Sequence, residues 1–119
     1  MKQFLIFVLS LFCFNSYGQM SKKEAKNYLA HFDLATYQTE AGVVNKITTA
    51  KEAKLSVIVL EFSKDGKQWI KVQEIQPKYE NSGYLKQNEY EIKYDFLGYY
   101  RVSIYSDKNE LVGYRQNKI

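Results

Sequence analysis

Cysteine, histidine, proline and tryptophan each occur once in the 119 residues, and glycine six times. The one cysteine, Cys13, lies inside an apolar N-terminal segment. A chain cleaved behind that segment carries no thiol, which excludes disulfides, cysteine zinc sites and a cysteine nucleophile together. A single histidine, His31, cannot form an imidazole metal site within one chain, and a Ser-His-Asp triad would have to be built around it. The chain has no Gly-x-Ser-x-Gly elbow, no Asp-x-Asp calcium loop and no glycine-rich phosphate loop. Glu89 and Glu91 share a strand face, but they alternate with other residues as solvated charges do, and Asp65 and Asp107 are turn residues. We therefore expect no enzyme, no cofactor and no metal. A small secreted enzyme would have to rely on His31, which reads better as an exposed residue at a helix end.

The apolar run is short as well. Lys2 precedes Phe4–Phe14, followed by polar Asn15-Ser16 and small Gly18. A positive start, an apolar stretch and a small-residue site compose a secretory signal peptide, and the run falls short of the roughly 20 residues that cross a bilayer. The expectation is a signal over 1–18, cleaved near Gly18, and an exported product, periplasmic or extracellular, that meets the membrane only through this signal. Bulky Phe12 before Cys13 argues against lipidation. Losing Lys2 takes the 17 basic residues to 16 against 13 acidic, a net charge of +3. The signs are interleaved through Lys51–Lys93 without a basic block, which gives no footprint for nucleic acid.

What remains is enough for one small domain with one core. Ser21 with Glu24 has capping-box spacing, and Ala25, Tyr28, Leu29 and Phe32 recur at helical intervals. They predict a short helix over about Ser21–His31, within an N-terminal extension 19–33, too brief to persist unless it packs on a sheet. From Leu34 onward the pattern is that of strands. Leu34–Thr39 and Val43–Thr49 flank Ala41-Gly42. Leu55–Ser63 is apolar on both parities, with Leu55, Val57 and Val59 on one face and Ile58, Leu60 and Phe62 on the other, as in a central strand. A Lys64-Asp65-Gly66 hairpin turn leads to Trp69–Ile75, and Pro77 ends that strand. Tyr79–Asn88 reads as a long loop. Tyr90, Ile92 and Tyr94 point one way in Glu89–Asp95, and Tyr100, Val102 and Ile104 point inward in Tyr99–Ser106. A last strand lies near Leu111–Arg115. The fold class is all-β: an antiparallel sandwich of six to seven strands over 34–119, with a short N-terminal helix.

Three pieces in this order carry a resemblance. Glu61-Phe-Ser-Lys-Asp-Gly-Lys-Gln-Trp69, Tyr90-Glu-Ile-Lys-Tyr-Asp95 and Tyr99-Tyr-Arg-Val102, with Ile47-Thr-Thr-Ala-Lys-Glu52, are similar to the fibronectin type III-like modules of secreted and cell-surface bacterial proteins. The similarity covers about Leu34–Tyr114. It implies an immunoglobulin-like sandwich and an exported setting, and it makes Tyr100 a tyrosine corner whose phenol bonds nearby backbone. Ile47 stands where the family usually has Trp, and Lys108-Asn109 where it often has Asp-Gly, so packing and turn should differ there.

Eleven tyrosines are the remaining surplus. Tyr79 and Tyr84 fall in the long loop, and Tyr99 and Tyr105 have outward parity. Such rings offer stacking area with a polar tip, although antiparallel sheets favour tyrosine for packing alone. The reading is a binding or interaction module of the cell envelope. We expect a monomer whose contacts to a protein partner are Tyr79, Tyr84, Tyr99 and Tyr105. The alternative is a polysaccharide-binding module using the same rings with Lys78 and Lys86.

Overall fold

Tyr100, Val102 and Ile104 are fully buried, as their alternation predicts, and the strand that carries them organises the molecule. The computed structural model describes residues 22–50, 53–77 and 87–119. A helix, α1 (Lys22–Leu29), precedes seven strands: β1 (Asp33–Thr39), β2 (Gly42–Ala50), β3 (Leu55–Ser63), β4 (Ile70–Ile75), β5 (Gln87–Tyr94), β6 (Tyr99–Ser106) and β7 (Leu111–Lys118). They form two antiparallel sheets, ordered β1-β2-β5 and β4-β3-β6-β7. Val43, Ile47 and Ile92 of the first sheet meet Ile58, Leu60, Phe62, Tyr100, Val102 and Ile104 of the second in one core. The result is a seven-stranded β-sandwich, compatible with an immunoglobulin-like or fibronectin type III-like fold. Among the described residues no helix is long and apolar enough to cross a membrane; the segment read as a signal lies outside them.

β3 is interior to its sheet, as its two-sided apolarity predicts. Its faces divide differently from strict alternation, however. Leu55 is buried together with Ile58, Leu60 and Phe62, whereas Val57 and Val59 are half-buried on the outer side. The pairing with β6 slips between Leu55 and Val57, and the extra residue of that bulge reverses the parity. β5 starts at Gln87, so the end of the expected loop is strand; Tyr79 and Tyr84 lie outside the described residues. β7 continues beyond Arg115 to Lys118.

The β3–β4 connection spans 64–69 rather than a three-residue turn, because Asp65 builds a longer cap. Its Oδ1 accepts from the amides of Lys67 and Gln68 at 2.8 and 3.0 Å and from the Ser63 hydroxyl at 3.0 Å. The amide bonds from Gln68 and Lys67, with the Ser63 hydroxyl, hold the Asp65 carboxyl below the usual carboxylate range. In the β6–β7 turn Asn109 takes the left-handed conformation (φ 62°), so it supplies the backbone that glycine supplies elsewhere.

Helix α1 ends at Leu29, and His31 stops it in the left-handed region (φ 62°). His31 is exposed, and its carbonyl accepts from the Thr48 hydroxyl at 2.9 Å. Tyr28 and Leu29 pack against the core, although no residue of the helix is fully buried. Leu29 fills the space left by a missing side chain: a Cβ on Gly113 of β7 would lie 3.0 Å from Leu29 Cδ2. Gly113 pairs with inward-facing Ile104, so this seat is on the core side of β7. The helix thus plugs the sandwich and leaves the outer sheet face uncovered.

Two polar devices fasten the layers. Asn117 of β7 donates to the Leu34 carbonyl at 2.7 Å and to Thr36 Oγ1 at 3.1 Å, and Thr36 donates to Asn45 Oδ1 at 2.8 Å. This chain joins the β1 and β7 edges and reaches a fully buried asparagine. At the β5–β6 corner the Tyr100 hydroxyl donates to the Phe96 carbonyl, the tyrosine-corner contact. Tyr100, Phe62, Tyr94 and Phe96 form a ring cluster with centroids 5.1–6.2 Å apart.

This corner can be tested at two points. A Cβ on Gly98 would lie 2.7 Å from the Phe62 ring and 2.8 Å from the Ser63 carbonyl, which is backbone and cannot step aside. Gly98→Ala should therefore cost about 1–3 kcal/mol in urea unfolding, through overpacking. Burial pushes the Tyr100 hydroxyl up to about 12. An unfolded tyrosine ionises near 10, so the contribution of the neutral phenol is whole below about pH 10 and is lost as pH rises through about 12. Between those limits the native chain should lose stability more steeply than Tyr100→Phe, which has no proton to release. Urea midpoints measured at several alkaline pH values check this, and parallel curves for the two proteins would contradict it.

Candidate functional site

Alternation gives each sheet an outer face, and the two differ in how charges and rings are arranged. On the three-stranded sheet, Lys46 of β2 and Glu89, Glu91 and Lys93 of β5 point outward. Lys46 and Glu89 are 3.1 Å apart, and the hydrogen bond from Lys46 to Glu89 raises the lysine's proton affinity above its ordinary value. Glu89 and Glu91 thus belong to a charged surface, as read from the sequence, and on its β1 side the ring of Tyr37 pairs with buried Val44.

The outer face of the four-stranded sheet is built instead from cross-strand rows. Ser63 pairs with Tyr99, Glu61 with Arg101, Val59 with Ser103 and Val57 with Tyr105. β7 extends these rows: Tyr99 pairs with Lys118, Arg101 with Gln116, Ser103 with Tyr114 and Tyr105 with Leu111. Antiparallel partners share a face, so each row presents its side chains together. Leu111 and Tyr114 are more than half exposed (57% and 55%), so apolar surface here reaches solvent.

At the centre lies Arg101. Its Nε and Nη2 both donate to Glu61 Oε1, at 3.1 and 3.0 Å. The guanidinium sits 4.1 Å from the Trp69 ring centroid and 5.9 Å from that of Tyr114. Ion pair and cation–π contact fix the same planar group, so Trp69, Arg101 and Glu61 form one rigid unit. Trp, Tyr and Arg are also the residues that dominate binding energy at protein interfaces.

The four tyrosines expected as contacts fare differently. Tyr79 and Tyr84 lie outside the described residues, as do Lys78 and Lys86. Tyr99 and Tyr105 are half-buried on this outer face of β6. Their spacing along one strand separates them by about 20 Å, so they are not one contact point. The Tyr99 ring covers Gly66, whose added Cβ would lie 3.3 Å away, and Lys118 Nζ is 5.3 Å from its centroid. Tyr99 thus braces the Asp65 turn, while Tyr105 flanks Val57 and Leu111. Trp69, Arg101 and Tyr114 were not among the expected contacts, although Trp69 and Arg101 stand in the segments that carry the resemblance. Their identities were visible, but the contact between Glu61 and Arg101 spans 40 positions and depends on register. Among the described residues no group of three or more His, Cys, Asp or Glu is placed to hold a metal ion.

The Glu61–Arg101 pair is open to a double-mutant cycle. With the Arg101 and Glu61 side chains 28% and 24% exposed, the coupling between Glu61→Gln and Arg101→Met should reach about 1 kcal/mol and shrink with added salt. A coupling indistinguishable from zero at low salt would show the pair to be energetically idle. No family model matches this chain, and no curated protein or solved structure matches it either.

Proposed function

We propose that the protein is an exported, non-enzymatic fibronectin type III-like module of the cell envelope that binds a partner through the outer face of its four-stranded sheet. The observation that carries this reading is the asymmetry of the two faces. One carries Lys46, Glu89, Glu91 and Lys93 with the ring of Tyr37 beside buried Val44. The other centres on Trp69, Arg101 and Tyr114, adds Val57, Val59, Tyr105 and Leu111, and holds its Glu61–Arg101 and Lys71–Glu74 charges in pairs. Trp, Tyr and Arg are the residues enriched at interfaces, and on the second face all three stand in contact. The fibronectin type III-like assignment is supported by the three-plus-four strand partition and by the Tyr100–Phe96 corner. Export rests on the apolar segment Phe4–Phe14 behind Lys2.

The test is affinity purification from the native envelope with two variants. Tyr105→Ser with Tyr114→Ser should remove the captured partner, and Glu91→Lys on the opposite sheet should leave it bound. Capture that survives the double variant would sink the face assignment. Loss of binding to glycan rather than to protein would move the reading to polysaccharide recognition.

A further inference from the structure

Glu61 lies opposite Arg101, Val59 opposite Ser103 and Val57 opposite Tyr105, on neighbouring strands at the middle of the four-stranded sheet. We propose that the occupant of this face is a second copy of the chain, docked face to face about a two-fold axis that runs parallel to the strands between β3 and β6. The proposal rests on the preceding reading of this face as the binding surface.

Such an axis exchanges the two central strands, so β6 of one copy lies over β3 of the other. Each Arg101 then faces the other copy's Glu61, and each Tyr105 faces the other copy's Val57. That is the self-complementarity an isologous contact requires, where one residue meets a second and the second meets the first. The charges become an alternating square of four. In one copy these side chains are already only 28% and 24% exposed, so closure strips little further water from them. The Lys71–Glu74 pair at 2.7 Å is likewise neutral as a unit, and Lys118 on the edge strand β7 adds one positive charge per copy, so the two like faces meet without a large net repulsion. Two right-twisted sheets can stack in this way at about −30°, as sandwich sheets do.

Area sets the strength. Four strands about 4.8 Å apart and about eight residues long at about 3.4 Å each span about 500 Å² per copy, hence about 1,000 Å² for the pair. That meets the lower bound for a specific interface and falls below the standard size. The complex is a weak, concentration-dependent dimer. The opposite sheet lacks the arrangement: its outward Glu89, Glu91 and Lys93 are exposed, and its outward ring, Tyr37, stands on the edge strand β1 beside Val44 and not at the sheet's centre.

The experiment is sedimentation velocity on the protein purified from the cell fraction in which it accumulates, from about 1 µM to about 1 mM. The native chain should pass from monomer to dimer. Glu61→Arg places like charges opposite each other across the axis, and so does Arg101→Glu; each alone should weaken dimerisation at least tenfold. An equimolar mixture of the two variants should recover a heterodimer, because every arginine of the first then faces a glutamate of the second. Circular dichroism of each variant confirms that it has folded, and Tyr105→Ser, which keeps the charges, should also weaken the dimer. A native chain that stays monomeric throughout overturns the proposal, and so does a dimer untouched by both charge reversals. If the chain is monomeric yet the tyrosine variants still lose their envelope partner, self-association falls while the binding reading stands.

Discussion

The antiparallel register between β3 and β6 sets both faces of the molecule at once. On the inner side it brings Ile58, Leu60, Tyr100, Val102 and Ile104 together at zero exposure. On the outer side the same pairing puts Glu61 beside Arg101. A slip of one residue would turn the apolar set to solvent and separate the charges, so the hydrophobic core enforces the polar geometry. The outer arrangement needs no separate stabilisation to be specified, because burial on the other side already chooses it.

Legibility in the sequence follows the range of the physics. Alternation is local, and the inward sets of β5 and β6 could be read directly from Tyr90, Ile92 and Tyr94 and from Tyr100, Val102 and Ile104. The bulge near Ser56 was not readable, because its parity change depends on how β6 pairs with both halves of β3. Asn45 shares the inward parity of Val43 and Ile47 and is fully buried, but nothing local in the sequence names its partner. Thr36 bonds to it directly, and Asn117 reaches Thr36 from a distant edge. The candidate face was the least legible part. Parity assigned Tyr99 and Tyr105 to it, but not that Tyr99 is committed to the Gly66 turn or that Trp69 stacks on Arg101.

Polar groups inside the sandwich define its edges more than its strength. The bond from Asn117 to the Leu34 carbonyl joins edge strands of different sheets where no ladder runs. The Arg115 guanidinium lies 4.8 Å from the Phe32 ring centroid and adds a second link between β7 and the start of β1. Contacts of this kind occupy an otherwise open strand edge, which limits pairing with foreign strands. The tyrosine corner acts similarly between β5 and β6, satisfying a carbonyl that leaves the sheet at Phe96.

The seat of Leu29 on Gly113 also orders events in time. The ribosome makes the helix before any strand, but β7, which holds its seat, is made last. The same is true of Leu34, whose carbonyl waits for Asn117, and of Gly98, whose carbonyl receives the amide of Ile119 at 2.9 Å. A growing chain therefore cannot complete any of these three closures until β7 and Ile119 have been made. The contacts that close the sandwich at the helix and at the β1 edge are thus the last that synthesis makes available.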